Sequence, residues 1–241
     1  MLFYLFAKIA YFSQTNQIVC MVFLLPFLAI VAGYAGALWF QKTSANIAYL
    51  LAFSGAFLLS ITFFELLPQA FEYGGKSVGV ALLIGMLLQI GLDYFSKGAE
   101  HGHVHHDAPL NNFPLILLIS LSVHAFIEGF PVAHSQHVLL GVVVHKVPIA
   151  LILSIYLLKA NIRKIHALLF LILFGCMTPL GTYLALYFSP ILPYLNYINA
   201  VAIGVFLHVS TTILFESSKD HKFNSLKLMT ILAGAILAFF L

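Results

Sequence analysis

Long apolar runs, broken by short polar, glycine- or proline-containing segments, make up most of this 241-residue chain. A helix needs about 20 mostly apolar residues to cross a bilayer. The pattern predicts eight spanning helices, at about 18–40, 45–68, 77–95, 113–133, 136–158, 165–188, 197–215 and 225–241. The last is the shortest of these and sits at the lower limit for a span. The residues before the first span have no basic opening segment and no small-residue cleavage motif, so they predict a short lead rather than a cleaved signal.

The composition agrees with a membrane protein. Hydrophobic residues are 62% of the chain and charged residues 8%, whereas soluble domains carry about 25% charged residues. No polar stretch is long enough for a separate soluble domain, so we expect residues 1–241 to form one all-α polytopic domain. Nucleic-acid binding and soluble-enzyme functions are excluded. Cys20 and Cys176 lie in apolar runs and are interpreted as buried small side chains rather than as a disulfide or metal ligands.

The distribution of basic residues predicts the orientation. If the N-terminus is extracytoplasmic, eight of the eleven basic residues fall on the cytoplasmic side: Lys42, Lys97, Lys159, Arg163, Lys164, Lys219, Lys222 and Lys227. Cytoplasmic loops of membrane proteins are enriched in lysine and arginine. With an even number of spans, both termini are therefore expected to be extracytoplasmic, and the polar loop at about 96–112 is expected to be cytoplasmic.

Ionisable residues inside the spans point to a site, because each costs about 2.5–3.5 kcal/mol to insert and by default faces the bundle interior. His124 and Glu128 are one helical turn apart on the fourth span, so both side chains can reach one ion. His145 lies near mid-depth on the fifth span, which runs antiparallel beside the fourth. A single histidine in an apolar helix usually bonds a neighbouring carbonyl, but three such residues at one depth favour a metal site. Imidazole and carboxylate ligands suit zinc, with iron, manganese or cobalt open.

Two further charges accompany this set. Glu65, in the outer half of the second span, is a fourth candidate ligand, and the alternative is a helix-end carboxylate near the interface. Lys146 points about 100° away from His145 on the same helix. Its ammonium could repel a second divalent ion, or it could neutralise Glu128 or Glu65, the usual pairing of buried charges.

Histidines also cluster outside the spans. The cytoplasmic loop carries a metal-binding composition, formed by His101, His103, His105, His106 and Asp107. The alternative is a solvated polar linker. On the opposite side, His134 and His137 flank the turn between the fourth and fifth spans, where they either gather metal or form a plain polar turn.

Four segments resemble motifs of the ZIP (Zrt-, Irt-like) metal transporters. "HAFIEG" at 124–129 is similar to the fourth-span motif in its HxxxEG form, and "HKVP" at 145–148 to the fifth-span motif in its "HK" form. "FFELLPQA" at 63–70 resembles the second-span pattern, with Glu65 at the family's histidine, and "MTPLG" at 177–181 resembles the sixth-span motif. The four occur in the family's order, on the expected spans, and the resemblance covers most of the chain.

The resemblance implies transport of a divalent metal into the cytoplasm by alternating access around a mid-membrane site. Family members with two adjacent metals have polar or acidic residues where this chain has Ala125, Lys146 and Ile149. It therefore implies one site, formed by His124, Glu128 and His145 with Glu65 as the outer contributor, and Lys146 in place of the second site. His208 stands where the family often has tyrosine and is considered an accessory ligand.

The resemblance also implies the substrate and the setting. Zinc is the expected substrate, and Fe²⁺, Mn²⁺, Cd²⁺ and Co²⁺ stay open because all accept nitrogen and oxygen ligands. The expected partners are the divalent ions and the lipid bilayer of the cell membrane, with no nucleic acid, and a homodimer is left open.

Two other functions would also place histidine and carboxylate ligands in a helix bundle. A multi-span zinc-dependent membrane hydrolase would need three ligands and an open water position, but the chain lacks the HExxH spacing of intramembrane metalloproteases. A metal exporter of the cation diffusion facilitator type also has a histidine-rich loop, but uses six spans and a cytoplasmic tail. The sequence therefore predicts a transporter and not an enzyme.

Overall fold

The computed structural model of the protein describes residues 2–39, 44–96, 113–160, 162–216 and 225–241. Every regular element in these ranges is helical. The α-helices are α1 Leu2–Trp39, α2 Ser44–Ile61, α3 Leu67–Ser96, α4 Leu115–Val132, α5 Gln136–Lys159, α6 Lys164–Tyr187, α7 Leu195–Glu216 and α8 Ser225–Phe239. A π-helical turn, Thr62–Leu66, joins α2 to α3, and a 3₁₀ segment, Ser189–Tyr194, precedes α7. The predicted all-α class is confirmed for the described residues.

Seven helical segments in the described ranges are long and apolar enough to cross a membrane: Cys20–Trp39, Ile47–Glu72, Gly74–Ser96, Leu115–Val132, Gln136–Lys159, Lys164–Tyr187 and Ser189–Phe215. They correspond to the first seven predicted spans. The helix at the eighth, α8, has 15 residues, which at 1.5 Å per residue is shorter than the hydrocarbon core of about 30 Å. An eight-span topology and the orientation of the termini stay predictions.

The structure departs from the predicted pattern before the first span and at the end of the second. The lead before residue 18 is helical, because α1 begins at Leu2. The second span continues to Glu72 instead of ending near residue 68, and the chain then turns at Gly75, which has a positive φ of 53°. Glycine adopts that conformation without the steric cost that a Cβ would bring. The turn that follows the second span is thus at Gly75, seven residues after Pro68.

The π-helical turn lies directly before Pro68. The backbone N–H of Leu67 donates to the carbonyl of Thr62, five residues back. The hydroxyl of Thr62 also donates to the carbonyl of Leu58, at 2.8 Å, a contact that often bends a helix. Since proline has no N–H to continue the regular ladder, one widened turn accommodates it. Turns of this kind occur frequently at functional sites, and this one contains Glu65.

The helices pack as two groups. The first helix group comprises α1, α4, α5 and α6, and the second comprises α2, α3, α7 and α8. Within each group, glycines allow two backbones to touch: a Cβ on Gly129 of α4 would lie 2.2 Å from the Thr178 carbonyl of α6, and one on Gly204 of α7 would lie 2.0 Å from the Leu82 carbonyl of α3. Between the groups, a Cβ on Gly141 of α5 would lie 3.4–3.6 Å from the side chains of Leu58 and Ile61 of α2, an ordinary van der Waals distance.

The surface is apolar and the interior contains polar side chains. Large hydrophobic residues are exposed on the outer faces of the helices, as expected for helices that face lipid. Cys20 and Cys176 are exposed on these faces, so the prediction that both are buried is wrong. The exposure arises because an apolar helix can turn any face to lipid, and hydropathy does not show which one it turns. The buried polar residues include His124, Glu128, His145 and Lys146, which lie on α4 and α5 of the first helix group.

Candidate functional site

His124 and Glu128 lie side by side in the interior, as their spacing on α4 predicts. Their side chains are 2% and 1% exposed, and His124 Nε2 is 3.6 Å from Glu128 Oε2. Two atoms that bind one tetrahedral zinc ion at about 2.0–2.1 Å lie about 3.3 Å apart. A shift of a few tenths of an ångström would therefore let both side chains bind one ion.

Lys146 of α5 contacts the other oxygen of Glu128. Its Nζ donates to Glu128 Oε1 in a fully buried ion pair, and it lies 4.8 Å from the centre of the Phe174 ring, within the range of a cation–π contact. The hydroxyl of Thr178 on α6 donates to the same oxygen at 2.6 Å. Glu128 Oε1 is thus occupied by two donors, while Glu128 Oε2 faces His124. Of the two carboxylates considered as partners of Lys146, the structure pairs it with Glu128.

His145 completes the buried set from α5. It is 1% exposed, and its ring centre is 6.3 Å from that of His124, with an angle of 65° between the ring planes. In the part of the chain that the structure describes, no three His, Cys, Asp or Glu side chains are close enough together to form a ready metal-binding cluster. Lys146 holds one oxygen of Glu128, and the two imidazoles meet edge to face. Joint metal binding by these residues therefore stays a prediction that requires local rearrangement.

Glu65 lies apart from the three buried residues, in a cluster at the end of the bundle where α4 passes into α5. Ser135 donates to Glu65 Oε1 at 2.7 Å, and His137 Nδ1 is 2.9 Å from Glu65 Oε2. Ser135 also caps α5 by accepting a hydrogen bond from the Val138 N–H. We call Glu65, Ser135 and His137 the turn cluster. The π-helical turn presents Glu65 to the beginning of α5, so the turn cluster joins the second helix group to the first.

A chain of hydrogen bonds leads away from His124 into the second helix group. His124 Nδ1 is 3.1 Å from Gln89 Oε1, and Gln89 Nε2 donates to Asp93 Oδ1 at 3.1 Å. Asp93 Oδ2 is 2.6 Å from His208 Nε2. His208 thus contacts a carboxylate on α3, and its role as an accessory ligand stays a prediction.

Three residues of this network were missed by sequence reasoning: Gln89, Asp93 and Thr178. Gln89 and Asp93 are four residues apart near the end of the third span, the same spacing as His124 and Glu128. That spacing is a signal that could have identified them. Thr178 gives no such signal, because a threonine in an apolar helix usually bonds its own backbone.

The histidine-rich loop was predicted to supply accessory metal ligands. These residues, His101, His103, His105, His106 and Asp107, lie outside the described residues. The loop follows α3, which ends at Ser96, three residues after Asp93. Its predicted role is untested.

Comparison with known proteins identifies the family. A sequence model of the ZIP zinc transporter family matches residues 95–241, more than half of the chain. The match includes α4 and α5, with His124, Glu128 and His145, but not Glu65 or Gln89. A search of individually curated proteins gives no match. The family match favours neither the membrane hydrolase nor the metal exporter as an alternative. The apolar helices, the buried polar site and this match together show that the chain belongs to the ZIP zinc transporter family, whose members are multi-pass membrane proteins that transport divalent metal ions.

Proposed function

We propose that the protein moves zinc into the cytoplasm across the cell membrane through a single site formed by His124, Glu128 and His145. The observation that carries this proposal is the buried approach of His124 Nε2 to Glu128 Oε2, at 3.6 Å, between helices whose outer faces are apolar. Ionisable groups are expensive in such an interior and usually mark a pathway. Iron, manganese, cadmium and cobalt accept the same ligand types, so they are the competing substrates to test.

The position of Lys146 supports a site for one metal ion and not for two. Its ammonium contacts Glu128 from the side of α5, where a second divalent ion would need a carboxylate ligand. A fixed positive charge there repels such an ion. It also neutralises Glu128 before the substrate arrives, so an incoming zinc ion has to compete with the ammonium for the carboxylate. We therefore assign the chain to the HxxxEG and "HK" form of the family.

The turn cluster supports a first contact on the extracytoplasmic side. In the proposed orientation the turn between α4 and α5 faces outward. Glu65 and His137 supply a carboxylate and an imidazole there, their side chains 24% and 44% exposed, so an arriving ion can reach both. The pair's 2.9 Å separation is close to that of two ligands of one ion. We infer that Glu65 receives the ion together with His137 and not as a fourth ligand of the buried site.

The variant His137→Ala tests the role of this first contact separately from that of the buried site. If the His137 imidazole contributes about 1.4 kcal/mol to binding of the ion, its loss should raise the zinc concentration for half-maximal uptake about tenfold. The maximal uptake rate should stay nearly unchanged. Initial uptake rates over a zinc series in proteoliposomes measure both quantities. His166→Ala, at the opposite end of the bundle, is the matched control. A lowered maximal rate with an unchanged half-saturating concentration would contradict a capture role.

The two helix groups support alternating access. Backbone contact within each group favours motion as rigid bodies, since close-packed backbones deform little. The groups meet through side chains, and the polar contacts that join them in the described part of the chain include the turn cluster and the His124–Gln89 hydrogen bond. Rocking of one group against the other would break these contacts in turn and expose the buried site to each side. The histidine-rich loop would then receive the ion in the cytoplasm, and pairing of two copies is compatible with this motion.

Zinc uptake into proteoliposomes tests the proposed function. We expect wild-type protein to accumulate ⁶⁵Zn²⁺ and the double variant His124→Ala/Glu128→Ala to take up no more than protein-free liposomes, because two of the three ligands are gone. A variant that alters an exposed carboxylate, Glu72→Gln, should retain wild-type uptake. Equal uptake by the wild type and the double variant would show that the assigned site is wrong.

A further inference from the structure

The side chain of Gln89 is fully buried between the two helix groups. Its amide has two different partners: Nε2 donates to Asp93 Oδ1, and Oε1 lies 3.1 Å from His124 Nδ1. A glutamine amide has one acceptor oxygen and one donor NH₂ group, and an ionised carboxylate only accepts hydrogen bonds. Asp93 must therefore face the NH₂ group, which leaves the amide oxygen for His124.

This orientation determines the tautomer of His124. An amide oxygen cannot pair with the lone pair of a ring nitrogen, so Nδ1 of His124 must carry the proton. In the neutral imidazole, the form that binds a metal ion, the other ring nitrogen, Nε2, then carries the lone pair, and this is the atom that lies 3.6 Å from Glu128 Oε2. His208 supports this arrangement through Asp93. Its Nε2 contacts the second oxygen of Asp93 at 2.6 Å and holds that carboxylate in place.

We propose that Gln89 is a positioning residue for zinc binding, which presents His124 Nε2 as the ligand atom only while α3 and α4 keep the arrangement seen here. The proposal rests on the proposed function of His124. Gln89, Asp93 and His208 belong to the second helix group and His124 to the first. Movement of one group against the other separates Gln89 from His124, which then loses its fixed tautomer and ring orientation. Zinc affinity falls in that arrangement, so the same motion that opens the site also loosens the ion.

Zinc affinity of the purified protein tests the proposal. Residues that hold a metal-binding histidine typically contribute about 10–100-fold to metal affinity. Gln89→Leu should therefore weaken zinc binding by about 10–100-fold, measured by competition with a chelating dye. Gln136→Leu, on an exposed glutamine, is the matched control. The double variant Gln89→Glu/Asp93→Asn exchanges carboxylate and amide but keeps an oxygen acceptor for His124, so it should recover most of the affinity.

A second measurement reports the tautomer directly. In protein labelled with ¹⁵N-histidine, the His124 signal, assigned by its loss in His124→Ala, should show a protonated Nδ1 in the wild type and in the double variant. In Gln89→Leu, the proton should be distributed over both nitrogens. A change in folding alone would not produce this pattern, and the double variant keeps the test valid if Gln89→Leu does not fold.

The outcomes separate this inference from the proposed function. Wild-type zinc affinity and an unchanged His124 signal in Gln89→Leu would overturn the positioning role. If His124→Ala/Glu128→Ala also binds zinc with wild-type affinity, the buried site itself is wrong. If that double variant loses zinc binding while Gln89→Leu keeps it, only the positioning role fails.

Discussion

Lys146→Met is expected to lower the free energy of unfolding by about 3–5 kcal/mol, because removal of one partner of a buried ion pair leaves an uncompensated charge. Both side chains of the Lys146–Glu128 pair are almost completely buried. Thr178 alone cannot neutralise the carboxylate that remains. The loss can be measured by reversible unfolding in mixed micelles while the concentration of a denaturing detergent is raised. Lys76→Met, on an exposed lysine, should change stability little.

The double variant Glu128→Gln/Lys146→Met provides the decisive comparison. Because it removes both charges, it should be more stable than the sum of the two single effects predicts, by about 0.5–3 kcal/mol. Added zinc should stabilise Lys146→Met more than the wild type, since the ion no longer competes with the ammonium for Glu128. Strictly additive single effects, with equal stabilisation by zinc, would mean that Lys146 does not act as the charge partner of Glu128.

Gly129→Ala is the second change with a large expected effect. A Cβ at this position would lie 2.2 Å from the Thr178 carbonyl and 2.9 Å from the Thr182 nitrogen, so α4 and α6 must move apart. The separation weakens the hydrogen bond from Thr182 Oγ1 to the Gly129 carbonyl and withdraws Thr178 from Glu128. Overpacking of this kind typically costs about 1–3 kcal/mol. We expect that loss in the unfolding assay together with reduced zinc uptake.

Gly91→Ala is the matched control for this change. Nothing lies within 4 Å of a Cβ at Gly91, and alanine is favoured over glycine inside a helix by about 0.5–1 kcal/mol. Gly91→Ala should therefore leave the protein as stable as the wild type or slightly more stable, with normal uptake. Similar behaviour of the two variants would show that backbone contact between α4 and α6 does not hold the site together.

The prediction of the helices succeeded where a span is bounded by turns with strong polar, proline or glycine signals. The fourth and fifth predicted spans, 113–133 and 136–158, agree with α4 and α5 within two residues. The second span was predicted to end at residue 68, which is Pro68, whereas the helical segment continues to Glu72. The π-helical turn accommodates this proline and carries the helix on to the turn at Gly75. Such an adjustment depends on contacts with neighbouring helices, which hydropathy does not contain.

The site was predicted in part. The spacing of His124 and Glu128 is a property of one helix and was sufficient to bring them together. Glu65 was predicted as the outer contributor to the site, and it contacts His137 and Ser135, because the second span delivers it to the beginning of α5. Gln89 was missed because a buried glutamine has no charge to attract notice, and its partner His124 is 35 residues away in sequence.

The sequence by itself determined that this chain is a helical membrane protein with ionisable residues in its interior. Both conclusions follow from local quantities: the transfer of apolar side chains from water to lipid, and the 3.6-residue repeat that sets which positions share a helix face. Only the tertiary structure decided which faces meet, that Lys146 pairs with Glu128, and that Gln89 reaches His124 from the other helix group. These contacts depend on how closely the helices approach one another. Glycines such as Gly129 permit a close approach, but the sequence of a single helix does not specify which helix it approaches.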